Sequence, residues 1–350
     1  MKFKTTIFLL FIFTPLLLGA QSTNYSVVKD TLCGSKIQIV VPQEWNKNIL
    51  IIAHGYNPEN YPLSADFSPE NAFFKKLIQN GWIIASTSYR RNGMIIKDAV
   101  EDIGFLRDFI CTEYGASDTV IVAGTSMGGT IGAVIAETKF QDYTGVLAIS
   151  AALRCQDEEE PYLYNYNPQI PIVYLSLIGE SGGPDEYISA LKKSSAQVVL
   201  YTVERAGHSN VNHLEYETAF KGLLDLINGK AVESRKDVTS IIKNESVAIF
   251  SDGGAYTKVL QVSTKYGSFN TDIIPEDMEK LNIKKGEYFF VSYNDNKFKI
   301  LFGNAYSDVE RGEWIAFFTA GGYLKIARNF ADARASLECK EKDVIFISNK

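Results

Sequence analysis

Hydrophobic residues follow one pattern over residues 36–230 and another after it. In the first part, short apolar runs at 36–41, 49–53, 82–86, 119–123, 146–150, 172–177 and 198–203 have the length of buried strands. Amphipathic stretches lie between them. In the longest, 96–114, Ile96, Ala99, Val100, Ile103, Leu106 and Ile110 fall on one helical face, and Gly115 stops the helix. Shorter helices are predicted over 71–80, 129–138 and 185–193. Strands covered on both faces read as near-continuous apolar runs, so this alternation predicts a mainly parallel sheet with helices on both sides.

Beyond about residue 230 the runs become short and evenly spaced, at 247–250, 258–263, 288–293, 297–302, 314–319, 323–327 and 344–347. Asn294-Asp295-Asn296 predicts a hairpin, Gly321-Gly322 marks another turn, and only 275–281 and 331–337 have a helical pattern. The expected architecture is an α/β domain over residues 21–230 and a smaller β-rich, barrel-like or sandwich domain over 240–350, joined somewhere in 230–240.

Composition narrows the function classes. Of 350 residues, 46% are hydrophobic and 22% charged, which suits a globular protein with a sizeable core. The net charge of −6 provides no broad basic surface for phosphates, so no nucleic-acid partner is expected. Lys2 and Lys4 precede apolar runs at 7–13 and 16–18 that end in Gly19-Ala20. This is the pattern of a signal peptide over 1–20, with a secreted or periplasmic mature chain starting at Gln21 and no membrane attachment after cleavage. The rival is an uncleaved anchor, disfavoured by the short run and by Pro15; no Cys follows Ala20 to carry a lipid. Export would permit disulfides among Cys33, Cys111, Cys155 and Cys339, in any of three complete pairings, although Cys111 also fits a buried thiol. With no C-x-x-C spacing and only three His, no metal site is expected.

The candidate chemistry begins at Gly124-Thr125-Ser126-Met127-Gly128. This G-x-S-x-G run follows a predicted strand and opens a helix rich in small residues. A serine on such a tight strand-turn-helix elbow stands above the sheet edge as a nucleophile. An oxyanion hole would use the backbone N–H of Met127 and that of Tyr56, in His54-Gly55-Tyr56 after the strand at 49–53. The general base should lie late in the chain and after a strand. His208 does so; His213 falls in the next helix, and His54, before the nucleophile, suits loop shaping better. For the acid that orients the base, Glu180 follows the strand at 172–177; Asp185 and Asp157 are the alternatives.

These motifs, with Ala206-Gly207-His208, occur in the order used by the α/β-hydrolase superfamily, and residues 36–230 resemble its esterase and prolyl-oligopeptidase-like branches. Ser88-Tyr89-Arg90-Arg91-Asn92-Gly93 resembles a loop of some members. The resemblance implies hydrolysis through an acyl-enzyme without a cofactor; it also favours Glu180 as the acid by its distance from Pro171, although aspartate is commoner there. Residues 241–348, through Gly267-Ser268-Phe269-Asn270-Thr271-Asp272, Tyr306-Ser307-Asp308-Val309 and Ile326-Ala327-Arg328-Asn329, resemble the C-terminal barrel of the S-adenosylmethionine hydroxide adenosyltransferases. That family's barrel helps hold adenine. Its catalytic half is absent here and Ser268 stands where asparagine is usual, so adenosyl chemistry is not implied.

The expected function is therefore cleavage of small-molecule or polymer carboxylic esters, with a serine peptidase and a non-catalytic nucleoside- or protein-binding protein as alternatives. Tyr56, Tyr61, Phe67, Tyr162, Tyr164 and Tyr166 are candidates for an aromatic pocket rim, and Arg90 and Arg91 for binding a substrate carboxylate. The C-terminal domain is expected to be a structural or binding appendage. The sequence does not indicate an oligomeric state.

Overall fold

The computed structural model describes residues 24–155, 163–251, 253–263 and 267–350. The expected signal peptide, Tyr162, Asp157 and the acidic run at 158–160 lie outside them.

The first sheet comprises β1 (Tyr25–Leu32), β2 (Ser35–Pro42), β3 (Asn48–Ala53), β4 (Ile83–Thr87), β5 (Thr119–Thr125), β6 (Gly145–Ile149), β7 (Ile172–Leu177), β8 (Val198–Val203) and β9 (Arg235–Asp237). Their spatial order is 1-2-4-3-5-6-7-8-9, with β2 antiparallel to both neighbours and every pairing from β4 to β9 parallel. This is the α/β-hydrolase architecture. The helices are α1 (Ala72–Gln79), α2 (Ile96–Tyr114), α3 (Met127–Thr138), α4 (Gly182–Ser189) and α5 (His213–Ile227).

Side-chain alternation along each strand splits the core in two. On β3, Ile49, Ile51 and Ala53 join the cluster under α2 and α3, while Leu50 points to the opposite cluster under α1 and α5. The helix predicted over 71–80 spans Ala72–Gln79, with Asn71 as its cap accepting from the N–H groups of Phe73 and Phe74; the helix that His213 opens is capped by Asn212 in a capping box with Glu215. The helix predicted over 185–193 instead spans Gly182–Ser189. Pro184 sits in its first turn, where its missing N–H has no intrahelical duty.

Three strands escape the hydrophobic pattern. β1 mixes Tyr25, Val27, Val28 and Leu32 with polar residues and has none fully buried, while β9 and β12 (Phe269–Thr271) have only three residues each. β9 falls in the 230–240 stretch and pairs with β8, on the hydrolase side.

The second domain contains β10 (Ile249–Ser251), β11 (Gly254–Val262), β12, α6 (Pro275–Lys280), β13 (Tyr288–Tyr293), β14 (Asn296–Phe302), β15 (Trp314–Phe318), β16 (Leu324–Arg328), α7 (Ala333–Leu337) and β17 (Val344–Ser348). The order 11-12-16-15-14-13-17 returns to β11, closing a seven-stranded barrel with β10 folded onto β11. Closure satisfies edge strands that an open sheet would leave unpaired. Phe269, Phe289, Val291, Ile300, Ile326 and Ile347 fill the interior.

All four cysteines are free thiols: Cys33 in the β1–β2 turn, Cys111 on α2, Cys155 after β6 and Cys339 in the barrel core. The disulfides that export would permit are not formed. Among the described residues no helix is long and apolar enough to cross a membrane, and no His/Cys/Asp/Glu cluster is placed to hold a metal.

Candidate active site

The elbow between β5 and α3 is a steric solution that only small residues permit. A Cβ on Gly124 would lie 2.0 Å from the Gly128 carbonyl oxygen, and one on Gly128 would lie 1.9 Å from that of Ala53. On Gly129 it would meet Ala151 Cβ at 2.7 Å. Glycine at all three positions lets α3 start directly against β3 and β6. Ser126 occupies the turn at φ 57° and ψ −119°, a conformation uncommon for a residue with a side chain. Its N–H is held by the Ile149 carbonyl, and its own carbonyl receives Gly129 and Ala152. These contacts impose the conformation and project Oγ.

Two loops bring partners to Ser126. His208, in the loop between β8 and α5, has Nε2 3.0 Å from Ser126 Oγ. Its Nδ1 is hydrogen-bonded to Glu180 Oε1, and Glu180 ends a single 3-10 turn directly after β7. The Glu180 hydrogen bond is the largest cause, and its charge a lesser one, raising the imidazole pKa above 6.5 against the opposing effect of desolvation. Asp185 lies away from this chain of hydrogen bonds, in the first turn of α4, paired with Arg235 of β9. His213 is the first residue of α5. His54 stacks on Tyr89 at 4.1 Å, and the Tyr89 hydroxyl donates to the His54 carbonyl at 3.1 Å, so its ring shapes the loop after β3.

That loop passes directly over the nucleophile. A Cβ on Gly55 would lie 3.2 Å from Ser126 Cβ and 3.8 Å from its Oγ. The next residue, Tyr56, has an exposed side chain. Met127 is buried at the first position of α3, where a backbone N–H has no acceptor within its own helix.

Other expected site residues serve packing. Tyr164 and Tyr166 each contact Tyr187 at 5.4 Å between ring centroids, and Tyr187 donates to Glu137 of α3 at 2.6 Å. They anchor the segment before β7 to α3 instead of rimming a pocket. Phe67 packs edge-on against Phe74. Arg90 donates twice to Oδ1 of the buried Asp102, at 2.9 and 2.7 Å, and Arg91 bonds Asp98 at 2.7 Å. Both guanidinium groups thus tie the β4–α2 loop to α2 and are engaged by this chain's own carboxylates.

The support beneath the His208 loop is visible only in the fold. Arg205 and buried Glu215 form a two-fold ion pair at 2.8 Å, and both bond residue Ser240, which fastens the start of the loop. The spacing Asn212-x-x-Glu215 was the available signal in the sequence, as a capping box.

Comparison with known proteins bears on both halves. Residues 258–346 match the family of SAM hydroxide adenosyltransferase C-terminal domains. No curated protein matches the chain. Among solved structures, an uncharacterized conserved protein from Thermotoga maritima is 26% identical with a TM-score of 0.28, over 35% of this chain and 47% of that one. This chain thus spans about half the length of that protein. A hyperthermophilic esterase from Pyrobaculum calidifontis is 13% identical with a TM-score of 0.46, over 59% of this chain and 85% of that one. The Pyrococcus furiosus esterase Pf2001 is 15% identical with a TM-score of 0.44, over 59% and 90%. The chain joins an α/β-hydrolase fold to a C-terminal β-barrel, and residues 258–346 of that barrel match the SAM hydroxide adenosyltransferase C-terminal domain.

Proposed function

We propose that this protein is an exported serine hydrolase that cleaves carboxylic esters through an acyl-enzyme. The observation that carries the reading is the unbroken hydrogen-bond chain from Ser126 Oγ through both ring nitrogens of His208 to Glu180. Ser126 Oγ attacks the ester carbonyl while His208 Nε2 takes its proton. Glu180 accepts from Nδ1–H, which fixes the tautomer that leaves Nε2 free to act as base and stabilises the imidazolium. The N–H groups of Met127 and Tyr56 receive the developing oxyanion; the seat of Met127 at the head of α3 and the passage of Gly55 against Ser126 support that assignment. The imidazolium then protonates the leaving alcohol. Water, deprotonated by His208, releases the acid and restores Ser126.

The substrate is a small-molecule or polymer ester, and the chemistry of these residues calls for no cofactor. Tyr56 has an exposed aromatic side chain in the loop that passes over Ser126. Export rests on the charged start, short apolar run and Gly19-Ala20. N-terminal sequencing of protein from the native host should then begin at Gln21; a mature chain retaining Lys2 contradicts it.

The test of function is turnover of p-nitrophenyl esters beside aminoacyl and dipeptidyl amides. Esters should be the better substrates, and Ser126→Ala should lower turnover about 10³-fold or more without loss of fold. Preference for amides makes the protein a peptidase, and near-normal turnover by Ser126→Ala removes the nucleophile assignment.

A further inference from the structure

We infer that the C-terminal barrel positions the His208 loop, with Asn210 as the positioning residue that joins them; this rests on reading His208 as the general base. The loop at 204–212 holds His208 between Gly207 at φ 110° and Ser209 at φ 53°. Glycine tolerates a positive φ, whereas for Ser209 it is uncommon, and contacts from outside the loop add to the bonds within it.

Those contacts come from beyond the hydrolase sheet. Near the loop's beginning, Thr239 Oγ1 accepts from the Glu204 N–H at 2.8 Å, and the Ser240 carbonyl accepts from Arg205 at 2.8 Å. At its end the same carbonyl accepts from Asn212 Nδ2 at 2.8 Å. Asn210, two residues from His208, reaches the barrel itself. Its Nδ2 donates to the Phe318 carbonyl at the end of β15 at 3.2 Å, and to the Ala206 carbonyl within the loop at 3.1 Å. Its Oδ1 accepts from the Ala320 N–H at 2.6 Å. The amide therefore engages the β15–β16 turn with donor and acceptor together, as a backbone peptide would. Among side chains of this length only asparagine offers both groups in one plane.

The turn it grips is itself fixed. Thr319 N–H donates to the Tyr323 carbonyl, and Gly322 N–H to the Thr319 carbonyl, both at 2.9 Å. The barrel also bounds a cleft of about 520 Å³, in which Asn304 and Ala305 share the lining with Glu180 and Gly207. Both supports of the imidazole, its loop and its acid, thus adjoin barrel residues. The barrel is then a working part of the site, although it supplies no reacting group. Misplacing a catalytic group by about 1 Å costs on the order of 10²-fold in rate, so the contact should be read in kcat.

The test uses the full-length protein and a small p-nitrophenyl ester. Asn210→Ala should lower kcat about tenfold or more with KM within about twofold, and lower the melting temperature by only a few degrees. The acid limb of its pH profile should move to lower pH as the His208–Glu180 bond loosens. Asn210→Asp keeps the shape and the acceptor for Ala320 but turns a carboxylate oxygen towards the Phe318 and Ala206 carbonyls, and should be at least as impaired as Asn210→Ala. Ala320→Pro removes the barrel's N–H without touching the loop; its effect should not add to that of Asn210→Ala. Ser126→Ala separates the two claims. If it is inactive while the Asn210 variants and Ala320→Pro turn over normally, the barrel's role is overturned and the hydrolase reading stands. If Ser126→Ala stays active, the hydrolase reading fails. Independent, additive losses in Asn210→Ala and Ala320→Pro also overturn the inference, and if Asn210→Ala does not fold, the isosteric Asn210→Asp decides it.

Discussion

His208 works as a base only when neutral, so its environment sets the pH at which the site is active. The hydrogen bond to Glu180, with the carboxylate's charge, raises the imidazole pKa from its ordinary value and so favours the protonated, idle form. The kcat/KM profile should rise with pH through an apparent value higher than that of an ordinary histidine, and Glu180→Gln should move that limb to lower pH while lowering kcat. A profile unmoved by Glu180→Gln would show that Glu180 does not support the base. Asp185→Asn, altering an exposed pair with Arg235, should leave turnover within about twofold. At this scale the sequence was informative where chemistry dictates residue type. Glycine spacing singled out Ser126, and position after a strand singled out His208. It was uninformative where a side chain chooses among neighbours: Tyr164 and Tyr166 alternate in a way that suits a rim equally well, and only the fold reveals Tyr187 between them and Glu137.

At the scale of elements, the site depends on how β4, β5 and their helices are anchored. Asp102 is buried and receives Arg90 through its backbone N–H and its guanidinium, whereas Asp98 and Glu101 are more exposed partners. Asp102→Ala should therefore destabilise by about 3 kcal/mol in urea denaturation, and Glu101→Ala by less than about 1 kcal/mol. Equal losses would contradict the burial argument. Gly128→Ala places a methyl against the Ala53 carbonyl and should cost about 3 kcal/mol or prevent folding. Long elements such as α2 were legible because an apolar face repeated at helical spacing over 19 residues fits a helix and no strand. The three-residue strands β9 and β12 were not, because so short a run carries no period and its place comes from a neighbouring strand.

For the whole molecule, the change of pattern near residue 230 revealed two units, and the long-range pairing of β11 with β17 decides between the barrel and the sandwich that the second pattern allowed. Their separateness is limited at the His208 loop. A chain ending at Gly229 loses β9 and the Thr239 and Ser240 partners of that loop. It should be less stable than one ending at Glu245 by about 1–3 kcal/mol, since Arg205 and Asn212 lose the Ser240 carbonyl and Val238 leaves the core. Equal melting temperatures for the two would contradict this. The central claim is that Ser126 is an activated nucleophile. A fluorophosphonate probe, followed by mapping of the modified peptide, tests it most directly. The account predicts one adduct per chain, on Ser126, absent from Ser126→Ala and formed more slowly while a saturating ester is being turned over; an adduct on another residue, or none on protein that turns over esters, would contradict it.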